Sequence, residues 1–545
     1  MSIANGTGYV WIAGYHRLYC GRCLPALYRG TRSLGALVEG DPAMIDPLEI
    51  TLVILYFLAL IGIGIWASKK IQNMSDYVVA GRSLGFWVFT FLMIGSVCSG
   101  MSLLGVSGLG YKFAWPTIWE QLAVPLSIAF CIIFFGVKMY AISKRSGFIT
   151  VQDYFAQRFE SQKTLRGLSA VSGIVVSMIY LAGQYTAISI VLMWLFGLPH
   201  WVALLLGAAI VTIYTVIGGL YAVAWTTLVQ GLILLFGVVI MAPVVISVAG
   251  GFTAVNAYLG ALNPASVLPW STGPGAVFTP EYIVSFFLLL TIGLACAPHV
   301  INNVLAVRDA NYFRWTPLVA FIIYGVVMFL LKFAGFAGVV LVNEGLVSLP
   351  DVKNASDFIF VYGVQHAFGS LALWGIFAVI VLAAVMSTTD RLMLTIGTYF
   401  SWDLYKKILK PDASEKSVLA VSRISVFAAA AITLILALNP PEMLVWLIWA
   451  GIGIMFATFA VPLLAGLYWR RATREGAIAA MSLGLVSSLV FGAVTYFRIA
   501  PLPVHFSLYG FIIAVIAMIT VSLLTKPHSK EILDETMTGW FIQPR

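Results

Sequence analysis

"GSVCSGMSLLGVSGLG" occupies residues 95–110, and "GLACAPHVINNV" occupies residues 293–304. Each interrupts an apolar run with small residues, and the second adds Pro298. A run that crosses a bilayer as a helix needs about 20 predominantly apolar residues. Both stretches lie within such runs, near 87–110 and 282–304. Irregular backbone at membrane depth is tolerated only where protein buries it or it lines a cavity. The question is what these two interruptions surround.

The rest of the chain supports a membrane setting. Of its 545 residues, 61% are hydrophobic and 10% charged, against about 25% charged in soluble domains. No long polar block marks a separate soluble domain, and no G-x-x-x-x-G-K-[ST] phosphate loop is present. Any energy for transport must then come from an ion gradient. The net charge of +9 lies in short loops and does not call for nucleic acid. No protein partner is indicated either, so the partner that composition calls for is the bilayer. Of the five cysteines, Cys98, Cys131 and Cys296 fall in apolar segments and read as small packing residues. Cys20 and Cys23 form a lone C-x-x-C with no second pair, which argues against a zinc or redox role.

Hydropathy gives about thirteen spans. They lie near 48–68, 87–110, 117–141, 165–194, 199–218, 224–249, 282–304, 316–342, 370–401, 418–437, 442–468, 475–496 and 505–524. Basic residues concentrate in alternate loops. Lys69, Lys70 and Arg82 follow the first span, Lys138, Lys144, Arg145, Arg158, Lys163 and Arg166 surround the loop after the third, and Arg470, Arg471 and Arg474 follow the eleventh. The loop at 250–281 has no Lys or Arg. Positive charge marks the cytoplasmic side, so the expected protein is multi-pass in the cell membrane, with its N-terminus outside and its C-terminus cytoplasmic.

Spans 2–6 and 7–11 form two groups of five, and the interrupted stretches open both. Breaks at matching positions in two halves point to an inverted repeat. Gly and Pro are common in membrane helices in any case, so spacing leaves this open. The expected organisation is an extension over 1–43, a first helix outside the core over 44–70, repeats over 86–250 and 282–468, two further helices over 475–524, and a cytoplasmic tail over 525–545. The extension has no signal-peptide layout and reads as disordered or as a start placed too early.

A series of motifs then carries a resemblance. "SDYVVAGRSLG" (75–85), "VSGLGY" (106–111), "GFITVQDYFAQRF" (147–159), "YTVIGGLYAVAWT" (214–226), Pro298–His299, "AAVMST" (383–388), "WDLYKK" (402–407) and "NPPEMLVWLIWAGIG" (439–453) occur in that order. Together with "GLYWRRATREGAIAAM" (466–481) they resemble the sodium:solute symporter family, and the second half is most similar to the sodium/pantothenate branch. The resemblance implies an all-α membrane protein with the LeuT-like fold, five plus five helices in inverted repeat with three further spans. It implies a secondary active symporter that imports a small organic solute with sodium by alternating access, and no enzyme.

The resemblance also implies sites. Sodium would be held by carbonyls of Gly95, Cys98 and Ala384 and hydroxyls of Ser387 and Thr388. Neutral oxygens suit a small hard cation that must leave again. Ser387 and Thr388 can equally back-bond to their own helix. The solute would lie among Ser99, Ser102, Tyr180, Gln184, His299, Asn302, Asn303 and Trp449, with Tyr185 and Trp446 close by. Ser102 stands where a sodium–galactose relative has a sugar-contacting Gln, which argues against a sugar. A carboxylate-bearing metabolite is the expected cargo, received by free amides at the span-2 break without an arginine.

Departures from the family pattern are informative. Some relatives place an Asp where this chain has Val97, and others an Arg where it has Asn303. Some bind a second sodium through positions matching Ser387, Asp390 and Arg391, plus an Asp where this chain has Thr227. With that acid gone and Arg391 in a ligand position, one sodium per cycle is expected, with the guanidinium standing where the second cation would sit. The alternative is that Asp390 and Arg391 reach cytoplasmic water. Two rival functions remain at this point: proton coupling through Asp390 or His299, and a membrane sensor that binds without moving cargo.

Overall fold

The computed structural model describes residues 47–369, 371–438 and 444–537. The tail beyond 537, the extension with Cys20 and Cys23, and the "NPPE" segment at 439–442 therefore lie outside the described residues. The described residues all belong to the unit from Ile45 onward.

Among the described residues the chain is helical, apart from one isolated bridge between Leu84 and Val307. Helix α1 spans Pro47–Ser68. α2 (Phe86–Val97) and α3 (Met101–Phe113) form a broken pair bent by 64°. α4 covers Trp115–Ser146, α5 is the short Val151–Arg158, and α6 runs over Thr164–Phe196. The run His200–Val248 is interrupted at Gly219, whose φ of 53° and ψ of −156° leave the helical region. Its parts are α7 (His200–Ile213) and α8 (Gly218–Val248). α9 (Pro280–Gly293) and α10 (Pro298–Val304) form the second broken pair, bent by 43°. α11 is Thr316–Asn343, and α12 is Leu371–Thr398, continuing as a π-helical stretch over Tyr399–Leu409. α13 (Glu415–Ala437), α14 (Leu444–Tyr468), α15 (Arg474–Tyr496) and α16 (Phe506–Leu524) follow; short helices over Met74–Val79, Gly251–Leu262, Ile359–Phe368 and Lys530–Thr536 lie between or after them.

Ten of these helices are long and apolar enough to cross a membrane, and up to twelve if each bent pair counts as one. The fifth expected span, near 199–218, corresponds to the shorter apolar helix α7.

Local chemistry explains the boundaries. Side chains of Thr279, Ser414 and Thr473 accept amides of Tyr282, Ser417 and Gly476 at the starts of α9, α13 and α15, where a helix has no internal partner for those N–H groups. Pro298 opens α10, and Ala297 before it is extended at ψ 128°, as a residue preceding proline tends to be. The isolated bridge ties the two broken pairs at their ends: the Leu84 amide donates to the Ala306 carbonyl at 3.2 Å, and the Arg308 amide to the Leu84 carbonyl at 3.0 Å.

Burial separates core from periphery. The most apolar window of α12 is 89% buried and that of α6 is 78%, whereas α1 and α15 bury 28% each. α12 and α6 therefore line the interior, and the exposed Ile54, Leu55 and Leu58 of α1 match a lipid-facing surface.

Several charges inside this apolar body are paired. Lys332 on α11 donates to Glu120 at 3.3 Å and to Thr117 at 3.0 Å, with both charged side chains fully buried. Arg166 donates to Asp153 at 2.6 Å and Asp403 at 2.8 Å. Three cations counted above as loop charges are thus interior groups: Lys138, Arg158 and Arg166 are 7%, 0% and 3% exposed. Arg158 caps the end of α14 by donating to the Gly466 carbonyl at 2.9 Å and the Trp469 carbonyl at 3.2 Å, carbonyls that a helix end leaves unpaired.

Candidate functional site

The break between α2 and α3 releases backbone oxygen. Cys98 is extended (ψ 103°), so the helical ladder stops there. In a continuous helix the Ser99 amide would bond the Gly95 carbonyl; here it donates to Ser102 Oγ at 3.2 Å. The Ser102 amide donates to the Ser99 carbonyl at 2.9 Å.

The side chains of α12 meet those carbonyls. Thr388 Oγ1 donates to the carbonyl of Gly95 at 2.7 Å and that of Cys98 at 2.8 Å. Ser387 Oγ lies 3.3 Å and 3.4 Å from the same oxygens and 2.9 Å from the Ala384 carbonyl. Five uncharged oxygens from two helices therefore converge in a site shut off from solvent. A hydroxyl carries one donor and two acceptor lone pairs. Turned the other way, both hydroxyls present lone pairs beside the three carbonyls, a ligand set of the kind hard cations take. Thr227 completes the wall, because a Cβ placed on Gly95 would lie 2.2 Å from Thr227 Cγ2 and 3.3 Å from Ser387 Cβ.

With this geometry established, the relatives become informative. A profile of the sodium:solute symporter family matches residues 77–484, most of the chain. The chain belongs to the sodium:solute symporter family. It is 28% identical over 483 residues to the osmoregulated proline transporter of Bacillus subtilis, covering 87% of this chain and 94% of that one. It is 29% identical over 504 residues to the sodium/proline symporter of Escherichia coli, covering 89% and 95%. The sodium/pantothenate symporter of the same organism is 26% identical over 453 residues, covering 80% and 89%. Among solved structures, a Na+-coupled sialic acid symporter in a substrate-bound outward-open state superposes with a TM-score of 0.72 at 18% identity, covering 88% of this chain and 98% of that one. Mhp1, a nucleobase-cation-symport-1 family transporter, gives 0.52 at 15% identity, covering 85% and 99%. These neighbours carry the LeuT-like fold. The protein is a multi-pass membrane symporter, not an enzyme, and sodium is its co-transported ion.

Beside the oxygen cluster, the remaining residues expected at the symporter's solute site divide into two groups. Some tie the breaks together. Gln184 Oε1 accepts the Gly100 amide at 3.0 Å, and Ser99 Oγ accepts the Met101 amide at 3.2 Å. Ser102 Oγ is hydrogen-bonded to the Tyr324 hydroxyl of α11. These bonds overturn one expectation: the amides of Ser99, Gly100 and Met101 are all committed, so the break offers no free N–H for a carboxylate. Asn303 Nδ2 donates to Ser96 Oγ at 2.7 Å, linking α10 to α2. Asn302 lies in a different network, accepting the Val151 amide at 3.0 Å and donating to the Tyr399 hydroxyl at 3.3 Å.

Other atoms are buried without a hydrogen bond: Gln184 Nε2, Asn303 Oδ1, Trp449 Nε1 and Thr227 Oγ1; the Tyr180 hydroxyl and the His299 ring are buried beside Ser99 and Ser96. Tyr180 meets the His299 ring edge-on at 5.6 Å. Trp449 packs against Phe286 at 4.4 Å and Trp446 at 5.0 Å. Buried polar atoms are nearly always hydrogen-bonded in proteins, so these are atoms that a bound solute or water would satisfy.

Asp390 and Arg391 do not reach cytoplasmic water. They are 0% and 1% exposed. Asp390 Oδ1 accepts from Thr215 Oγ1 at 3.2 Å, and Arg391 Nε donates to the His299 carbonyl at 3.0 Å.

Two features escape a sequence reading. Tyr324, in an unremarkable apolar helix, also bonds the Val97 carbonyl at 3.3 Å. The Arg166 network gathers Asp153, Asp403, Thr150 and Trp402. Both aspartates stand in quoted motifs, but nothing local connects them.

Proposed function

We propose that sodium enters the cluster of Gly95, Cys98, Ala384, Ser387 and Thr388 from the outer side and draws α2 and α12 into one arrangement. The observation that carries this is the convergence of five neutral oxygens at the end of a broken helix. The bound ion shapes the adjoining solute site, the solute binds there, and the two repeats (86–250 and 282–468) rock so that both exit inward. The positive loops support an N-terminus outside and a cytoplasmic C-terminus.

The solute is a small organic molecule with a carboxylate. The relatives named for proline and for pantothenate support this class, since both compounds carry one. One sodium accompanies it. Thr227 supplies no charge, and the buried Arg391 brings a fixed positive charge to the region where some relatives take a second cation.

Uptake into proteoliposomes tests the reading. Radiolabelled proline and pantothenate should accumulate under an inward sodium gradient and not under an equal potassium gradient. Equal accumulation in both salts would remove sodium coupling.

A further inference from the structure

Arg391 is the largest unexplained cost in the interior. Its guanidinium is 1% exposed, and its Nη2 has no hydrogen-bond partner. Among the described residues no carboxylate lies within ion-pairing distance of it, and its Nε donates to the His299 carbonyl. Burying a charge costs several kcal/mol unless a counter-charge compensates, and buried charges are otherwise paired. The other interior cations obey this rule or cap a helix end. Lys332 has Glu120, Arg166 has two aspartates, and Arg158 has the carbonyls of α14.

The carbonyl of His299 holds Arg391, the His299 ring is fully buried, and Tyr180 packs edge-on against that ring. The three residues sit on α12, α10 and α6, and all are buried. The guanidinium offers only donors, and the tyrosine hydroxyl and the imidazole N–H can each add one. Meanwhile the amides at the α2–α3 break are spent on Gln184, Ser99 and Ser102.

We infer that the cluster of Arg391, His299 and Tyr180 is the seat of the solute's anionic group, with Arg391 as the charged donor. The inference rests on the proposed carboxylate solute and adds where that carboxylate binds. The anion supplies the direct ion-pair partner that Arg391 otherwise lacks. A resident inorganic anion such as chloride would satisfy the same donors, and the experiment separates the two.

The full-length protein, with R391Q and R391K variants, is purified and its thermal unfolding followed in sodium chloride and in sodium methanesulfonate. Proline and pantothenate are titrated against their uncharged-carboxyl counterparts, prolinamide and panthenol. The expected result is stabilisation of the wild type by an acid and not by its counterpart, in both salts. R391Q should lose the acid's effect, with affinity falling about tenfold to hundredfold, the span of a charged hydrogen bond, while still responding to sodium. R391K should keep the preference for the acid at reduced affinity, and it decides the matter if R391Q does not fold. Undiminished acid affinity in R391Q, equal response to acid and counterpart, or stabilisation that follows chloride would each overturn the seat. A wild type that binds the acid but ignores sodium would leave the seat standing and overturn the coupling. A wild type stabilised by neither acid would overturn the seat and the proposed solute class together.

Discussion

Arg166 and Asp403, 237 positions apart, meet at 2.8 Å in an interior closed to water. The contact joins the start of α6 to the π-helical end of α12, and Asp153 from α5 closes it on the other side at 2.6 Å. Asn302 of the second broken pair binds the same α5 through the Val151 amide. Removing one member of a buried ion pair strands the other and costs roughly 3–5 kcal/mol. R166A is therefore expected to unfold at markedly lower temperature than the wild type. D403N, which leaves Asp153 to pair with the arginine, should lose less. Melting curves of the two variants check the order.

Replacing Ser387 and Thr388 together with alanine removes both hydroxyls facing the Gly95 and Cys98 carbonyls. Uptake by the double variant should lose its sodium stimulation, while the protein still elutes as a folded species. Uptake that kept the wild-type sodium dependence would dissociate this cluster from coupling.

Two close approaches make glycine obligatory. A Cβ on Gly100 would lie 2.3 Å from Ala187 Cβ, and one on Gly95 would lie 2.2 Å from Thr227 Cγ2. G100A pushes α6 away from the break and threatens the bond from the Gly100 amide to Gln184. G95A intrudes on the ion cluster itself. The expectation is lower stability for both, with weakened sodium affinity the particular mark of G95A. Pairing G95A with T227S, which removes the clashing methyl, should restore sodium binding.

A single sodium predicts a Hill slope near one for sodium activation. It also ties voltage to the solute's charge. The membrane potential supplies about 2.3 kcal/mol per charge per 100 mV, roughly fiftyfold in accumulation. A neutral or zwitterionic solute carried with one sodium gains that factor and moves current; a monoanion moves none. Proline, zwitterionic near neutral pH, and pantothenate, an anion, should therefore differ in electrogenicity if both are carried. Electrical recordings on supported membranes read this directly.

Much of this architecture is legible in the sequence because lipid imposes a simple rule. Runs of apolar residues reveal the spans, and Gly and Pro clusters reveal both breaks. The oxygen cluster was legible through motif resemblance, because Ser387 and Thr388 occur in a recognisable run. The rest depends on long-range pairing that no window contains. Arg166 and Lys138 read as loop charges because they sit beside loops, yet the chain folds over them. The amides at the first break read as free because nothing local shows that Gln184, on α6, reaches back to Gly100. Asp390 and Arg391 read ambiguously because depth in a membrane is a property of neighbours, and only packing shows both to be interior.

The bond between Lys332 and Glu120 carries a consequence for descent. Neither residue can drift alone, since the survivor would be a bare charge in an oily surrounding. Exchanged together for two hydrocarbon side chains, they would leave the helices packed as before. The pair is thus a two-step obstacle for mutation, and homologous lineages should either inherit both residues or lack both.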